Sequence, residues 1–203
     1  MAEIISVDTK NLADSVNRAA MVIRQNGLVV FPTRAFYGLG ANPFSQKAIE
    51  KVYQIKERDP AKPILVLIGA ISDLAPLVQE IPPLAMKLIK QYWPGKATFV
   101  FDAAGLFPDI LTGGTGKVGI RLVAHPVAKK LIRAVGMPVT GTSANKSGMP
   151  ACSATALLDS KIVQDVDLVL DSGPLKGDVG STVIDVTVTP PKVLRKGVIT
   201  FNS

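Results

Sequence analysis

Apolar residues recur along this chain in short runs separated by turn residues, and the spacing switches repeatedly between strand-like and helix-like. Ile4 to Val7 reads as a short strand. From Asp14 to Gln25, Val16, Ala19, Ala20 and Ile23 fall at helical spacing, and Gly27 reads as the stop. Leu28 to Phe31 is an apolar strand ended by Pro32. Ser45 is placed to cap a helix whose buried stripe is Ala48, Ile49, Val52 and Ile55. Ile64 to Ile68 reads as a buried strand. Ser72 and the Pro82-Pro83 pair introduce two more helices, the second ending near Trp93-Pro94-Gly95. Thr98 to Phe101 and Val118 to Val123 are strands, and Pro126 suits the first turn of a helix running to Ala134. Pro138 to Thr140 is a short strand entering a loop, and Ser153 is expected to cap a helix at Ala154 to Leu158. Leu168 to Leu170, Thr182 to Val186, Val193 to Leu194 and Val198 to Phe201 complete the strands. Interleaved helices and strands predict one α/β domain, a mixed sheet covered by helices, with polar motifs at strand ends and in loops.

The 203 residues suit a single domain with a sizeable core, and 47% apolar against 19% charged is a globular composition. The net charge of +7 favours polyanionic partners such as nucleotides, phosphates or RNA, and equally describes a merely basic solvated surface. One cysteine, Cys152, excludes an internal disulfide and a Cys-rich metal site. The start MAEIISVDTK has neither the basic nor the apolar region of a signal peptide, and the longest apolar run, Ile64 to Ile71, is too short to span a bilayer. The expectation is a cytoplasmic protein with no membrane contact.

Gly113-Gly114-Thr115-Gly116-Lys117 imitates a phosphate-binding loop, but Leu111 stands where the first glycine belongs, Val118 follows the lysine, and a strand follows. A glycine-rich turn between strands accounts for it better. Gly38-Leu39-Gly40 lacks the third glycine of a dinucleotide fingerprint, so Thr33 to Gly40 reads as a permissive turn. Lys56, Arg58 and Lys62 lie at a helix end, where they either complement the helix dipole or converge on a polyphosphate. Ser143-Ala144-Asn145-Lys146-Ser147-Gly148 is either a plain turn or the lining of a nucleotide pocket. Arg121 is suited to holding a carboxylate bidentately. The sole histidine, His125, precedes a proline at a helix start and reads as a structural turn residue. No zinc spacing and no nucleophile elbow occur.

The ordered set Pro32-Thr33…Tyr37-Gly38-Leu39-Gly40, Lys56-x-Arg58…Pro63, Pro94-Gly95…Thr98, Arg121…His125-Pro126, Ser143-Ala144-Asn145-x-Ser147-Gly148, Ser181-Thr182-Val183-Ile184-Asp185 and Arg195-x-Gly197 resembles the YrdC/Sua5 family over about residues 10–200. The resemblance implies a YrdC-like twisted open mixed α/β sheet with a basic concave face, in the short single-domain form. It implies synthesis of threonylcarbamoyl-AMP from L-threonine, bicarbonate and ATP, with Mg²⁺ held mainly by ATP oxygens, for threonylcarbamoyladenosine in tRNA. It assigns Lys56 and Arg58 to catalysis. It assigns Lys56, Arg58, Lys62, Ser143, Asn145 and Arg195 to ATP, and Thr33, Arg121 and Ser181 to threonine. Contact with double-stranded RNA or tRNA, and docking with the complex that modifies tRNA, are further implications. Arg34 and Ala35 stand where the family usually has an acid and a threonine, Lys96 and Asp59 replace prolines, and Ala151 stands where a serine is common. Two other activities fit the same residues: a paralogue that binds double-stranded RNA without adenylation, and a carbamoyl-transferring enzyme with another acceptor.

Overall fold

The computed structural model describes residues 2–201. Strands β1 (Glu3–Ser6), β2 (Val29–Pro32), β3 (Tyr37–Gly40), β8 (Thr142–Ser143) and β9 (Leu168–Asp171) form a five-stranded sheet in the order β1-β9-β2-β3-β8. Strands β4 (Val66–Ile68), β5 (Ala97–Asp102), β6 (Lys117–Leu122), β7 (Val139–Thr140), β10 (Thr182–Asp185) and β11 (Lys192–Arg195) form a six-stranded sheet in the order β11-β10-β5-β6-β4-β7. Both sheets mix parallel and antiparallel pairs. The helices are α1 (Leu12–Arg24), α2 (Gln46–Lys56), α3 (Pro83–Tyr92), α4 (Asp109–Thr112), α5 (Pro126–Val135) and α6 (Ser160–Asp165). The mixed α/β architecture expected from the sequence is present, with its strands divided between two sheets. No helix among the described residues is long and apolar enough to cross a membrane.

Alternation explains the layering. In β2, Val29 and Phe31 pack with Val16, Ala19 and Ile23 of α1 and Leu131 and Ile132 of α5, while Val30 joins the second core with Ile49 and Val52 of α2. β2, inside the five-stranded sheet, is thus buried on both faces and reads as a continuous apolar run. The six-stranded sheet differs. Phe99, Phe101, Val118, Ile120 and Ile184 turn into the core, each burial contributing about 1.5–3 kcal/mol. The alternate residues of the same strands turn the other way and are largely polar.

The chain passes between the sheets at Gly141. β7 pairs with β4 and β8 pairs with β3, and only Gly141 separates them. A Cβ at Gly141 would lie 2.5 Å from Leu67 Cδ1, so this crossing requires glycine.

Several expectations are revised. The segment Thr33 to Gly40 contains β3, wholly buried and paired with β2, rather than only a permissive turn. The left-handed residue ending α1 is Asn26 (φ 62°), while Gly27 is required by Val22 Cγ1, which a Cβ would meet at 2.6 Å. The helix expected from Ser72 is two single 3₁₀ turns, Ile71–Asp73 and Ala75–Leu77, because Pro76 has no N–H to continue a helix. In place of the helix expected at Ala154 to Leu158 there is one 3₁₀ turn, Thr155–Leu157, without a Ser153 cap, and α6 follows it, capped by Asp159 accepting from the Lys161 amide at 2.8 Å. Residues 198–201 form no strand. Ile199 is tied to the Thr182 hydroxyl, which donates to its carbonyl at 2.9 Å and accepts from its amide at 3.2 Å.

Candidate functional site

A cavity of about 630 Å³ opens where the two sheets part, within the usual range for ligand sites. Its floor is the polar face of the six-stranded sheet, so period-two alternation presents Thr98 and Val100, Lys117, Gly119 and Arg121, and Val183 and Asp185 side by side. Gly119 keeps the floor low, since a Cβ there would lie 3.2 Å from Thr98 Cγ2. Thr33, Phe36 and Gly38 with Thr142 and Ser143, and Arg58, Pro63 and Leu65, also line the cavity. Ser181 and Arg195 close the rim.

The cations of this lining are Arg58, Lys117, Arg121, Arg195 and Lys196, against one carboxylate, Asp185. Asp185 is already committed: it pairs with Lys117 at 3.1 Å and accepts from the Thr187 amide and hydroxyl at 2.9 and 2.7 Å. Burial works against its charge, but the Thr187 donations and Lys117 outweigh burial and hold its pKa below the usual value. The arginines have no carboxylate in this cavity. Arg121 donates from Nη1 to Ser181 Oγ at 3.1 Å. Arg195 donates from Nη2 to the Ser181 carbonyl at 2.9 Å and to its Oγ at 3.3 Å. Arg58 donates to the Lys62 and Pro63 carbonyls at 3.0 and 2.9 Å. Burial, then Arg195 and Arg34, push the Arg121 pKa down to about 10; burial and then Arg58 lower that of Arg195. Both remain cations at neutral pH. Desolvated, mutually repelling arginines are relieved by an anion placed among them.

Thr33, Arg58, Arg121, Ser143, Ser181 and Arg195 therefore share one cavity. Lys56, Lys62 and Asn145 are placed elsewhere. Lys56 is 1% exposed and donates from Nζ to the Ser143 carbonyl at 2.5 Å, the Asn145 carbonyl at 2.5 Å and Asn145 Oδ1 at 3.4 Å. It braces the loop that carries Ser143 from behind. Burial and the nearby Arg58 lower its pKa to about 8. Asn145 completes the brace by donating to the Met149 carbonyl at 2.5 Å. The Lys62 residue is exposed and gives its carbonyl to Arg58 and to the Tyr53 hydroxyl. Thr33 donates to the Phe36 carbonyl at 2.6 Å at the cavity edge.

Thr98, Lys117, Asp185 and Lys196 also line the site; Thr98, Lys117 and Asp185 stand within motifs of the sequence, which by itself gives none of the four a site role. For Lys117 the signal was the alternation in β6, where Lys117, Gly119 and Arg121 interleave with Val118 and Ile120. The glycine-rich stretch leads from α4 into β6 with Gly113, Gly114 and Gly116 at positive φ, a turn that delivers Thr115 and Lys117 to the cavity. His125 is the structural turn residue expected, its Nδ1 accepting from the Val127 amide at 3.3 Å to cap α5. Arg34 pairs with Asp178 at 2.9 Å and also donates to the Val179 carbonyl, holding the segment between β9 and β10 beside the rim. No three His, Cys, Asp or Glu side chains gather as a metal site among the described residues.

A threonylcarbamoyl-AMP synthase of Pyrococcus abyssi is 36% identical over 197 residues, covering 97% of this chain and 58% of that protein. A threonylcarbamoyl-AMP synthase of Bacillus subtilis is 36% identical over 189 residues, covering 91% of this chain and 54% of that one. The chain thus spans little more than half the length of these two relatives. The crystal structure of P. abyssi Sua5 complexed with L-threonine superposes with a TM-score of 0.86 at 33% identity, covering 97% of this chain and 57% of that one. The Sua5/YciO/YrdC family model, described as telomere recombination, matches residues 21–197. A match over that span, from α1 to the end of the rim that carries Arg195, means that this chain belongs to the Sua5/YciO/YrdC family.

Proposed function

We propose that this domain is a threonylcarbamoyl-AMP synthase, converting L-threonine, bicarbonate and ATP to threonylcarbamoyl-AMP, pyrophosphate and water. The observation that carries the reading is the convergence of Arg58, Arg121 and Arg195 on one cavity that offers them no free carboxylate. Such a wall suits a reaction in which every reactant brings negative charge.

In this reading the threonine amine and bicarbonate form a carbamate, with loss of water. A carbamate oxygen then attacks the α-phosphorus of ATP, and the bond to the β-phosphate oxygen breaks to release pyrophosphate. Arg121 holds the threonine carboxylate, with Ser181 and Thr33 beside it. Arg58, Arg195 and Ser143 receive phosphate oxygens and stabilise the charge that builds during transfer. Lys56 and Asn145 act through the Ser143 loop. The pathway needs no general acid–base pair, since the chain's task is to hold and orient anions. Magnesium arrives as the counter-ion of ATP: Asp185, the one carboxylate on the lining, is engaged by Lys117 and Thr187 and is not free to ligate it. A cytoplasmic location, contact of the +7 surface with RNA, and docking with a tRNA-modifying complex belong to the same reading.

The test is pyrophosphate release from ATP and bicarbonate with L-threonine, L-serine or no amino acid. Threonine-dependent release is expected. Release that ignores the amino acid would replace this reading with a carbamoyl transfer to another acceptor. A folded protein that releases none but binds double-stranded RNA with steep salt dependence would replace it with an RNA-binding role.

A further inference from the structure

Proton counting at Ser181 identifies an unassigned donor on the cavity floor. Ser181 is 1% exposed, and its hydroxyl oxygen lies 2.8 Å from Thr98 Oγ1, 3.1 Å from Arg121 Nη1 and 3.3 Å from Arg195 Nη2. A hydroxyl has one proton and two lone pairs. Guanidinium groups donate only, so Arg121 and Arg195 occupy both lone pairs of Ser181 Oγ. The contact with Thr98 therefore runs in one direction: Ser181 donates and Thr98 accepts. The proton of Thr98 is then left over, and among the described residues no acceptor takes it. Thr98 is itself 1% exposed, lines the cavity, and is fixed in place by β-sheet pairing on the floor, with its methyl over Gly119. A buried hydroxyl proton without an acceptor is costly, and a ligand oxygen in the cavity would relieve it.

We propose that Thr98 is a substrate-binding residue, donating its hydroxyl proton to the anionic oxygen held between Arg121 and Arg195. The proposal rests on the adenylating reading above and deepens it, because it adds a fixed neutral donor beside the two arginines. Its ligand is an oxyanion, supplied by either the amino-acid carboxylate or a phosphoryl group. Arginines attract any anion to this point; a fixed hydroxyl accepts only one orientation of it. Thr98 thus sets the direction of the bound group rather than its charge. Ser181, turned by the two arginines, fixes the rotor of Thr98 in turn.

The experiment is calorimetric titration of wild type, Thr98→Val and Thr98→Ser with L-threonine and, separately, with ATP. Valine keeps the branched shape and removes the hydroxyl, and serine keeps the hydroxyl and removes the methyl. A donor to a charged acceptor predicts binding about 10- to 100-fold weaker in Thr98→Val and restored to within about threefold in Thr98→Ser. Loss confined to L-threonine identifies the carboxylate, and loss confined to ATP identifies a phosphoryl oxygen. Wild type that binds ATP but not L-threonine, with ATP weakened in Thr98→Val, upholds the donor while removing the threonine reading. Equal binding of both ligands by wild type and Thr98→Val overturns the proposal. So does a serine variant as weak as the valine one, or a wild type that binds neither ligand. Thermal melting accompanies each titration; if Thr98→Val does not fold, Thr98→Ala carries the same comparison.

Discussion

Replacing Lys56 by methionine separates bracing from phosphate contact, because the two roles give different balances of stability and rate. The substitution keeps the length of the side chain and removes its ammonium. The drop of the Lys56 pKa from 10.5 to about 8 corresponds to about 3 kcal/mol of penalty on the buried charge, which methionine relieves. Against this, the Asn145 carbonyl loses its Lys56 donor, at about 1–3 kcal/mol. The Ser143 carbonyl is spared, since the Asn145 amide also donates to it at 3.0 Å. The two effects nearly cancel, and Lys56→Met is expected to melt within about 2 kcal/mol of wild type at pH 7 by denaturant unfolding. The difference depends on pH in a defined direction. Between about pH 8 and 10.5 the unfolded chain holds the Lys56 proton and the folded chain does not, so wild-type stability rises with pH across that window. Lys56→Met lacks this rise, and the comparison shifts towards wild type by about 3 kcal/mol as pH increases through it. The rate behaves otherwise. Unbraced, Ser143 moves relative to Arg58, and misplacement by about 1 Å can cost about 100-fold in turnover. Pyrophosphate release slowed by about 100-fold, with ATP binding weakened only severalfold, is therefore expected. Wild-type turnover, or destabilisation beyond about 4 kcal/mol at pH 7, would refute the brace.

Arg34→Ala removes the tie to Asp178 and Val179. Amide exchange over residues 173–180 should quicken while global stability changes by less than about 1 kcal/mol, the scale of an exposed pair, and unchanged exchange would show that the other backbone bonds suffice. His125 must be neutral at Nδ1 to cap α5, and burial lowers its pKa. Because the unfolded histidine takes up its proton first, wild-type stability should fall as pH drops below about 6.5, while His125→Asn, a cap without that titration, should show a flatter profile by thermal melting over the same range. Gly141→Ala drives a methyl into Leu67, and a loss of about 1–3 kcal/mol is expected in denaturant unfolding; full stability would mean that the crossing between the sheets has slack.

The helices were readable where an apolar stripe coincided with a cap. Ser45 caps α2 as its spacing suggested, accepting from the Ala48 amide at 3.3 Å. Fully buried strands such as β2 and β9 announced themselves as apolar runs. β3 did not, because Tyr37-Gly38-Leu39-Gly40 contains two glycines and looks like a turn. Its pairing is decided by β2 and β8 on either side, and no local window contains that information. The direct crossing between the sheets from β7 to β8 was hidden for the same reason: it passes through Gly141, whose lack of a side chain matters only once Leu67 is beside it.

The site divided along a similar line. Arg121, Ser143 and Arg195 stand at or near the ends of β6, β8 and β11, and Ser181 at the entry to β10, where strand termini meet the cleft. Lys56 and Arg58 looked like a pair because they are two residues apart, yet Glu57 between them has φ 49°. That left-handed residue ends α2, and the chain reverses there, with the Arg58 amide bonded back to the Tyr53 carbonyl at 3.0 Å. One cation is consequently turned into the protein and the next towards the cavity. A non-glycine residue in this conformation is strained by about 1 kcal/mol or more. Here the surroundings determine it: Glu57 lies 3.0 Å from both Lys146 and Lys161, which fastens the helix end to the Ser143 loop and to α6. On the proposed reading, the Lys-x-Arg spacing divides the work: the buried lysine fixes the shape of the wall, and the arginine supplies its charge. The physical reason lies in the donors themselves. A lysine with all three protons engaged by carbonyls has none left for a phosphate, whereas an arginine that gives two N–H groups to Lys62 and Pro63 still has three to offer.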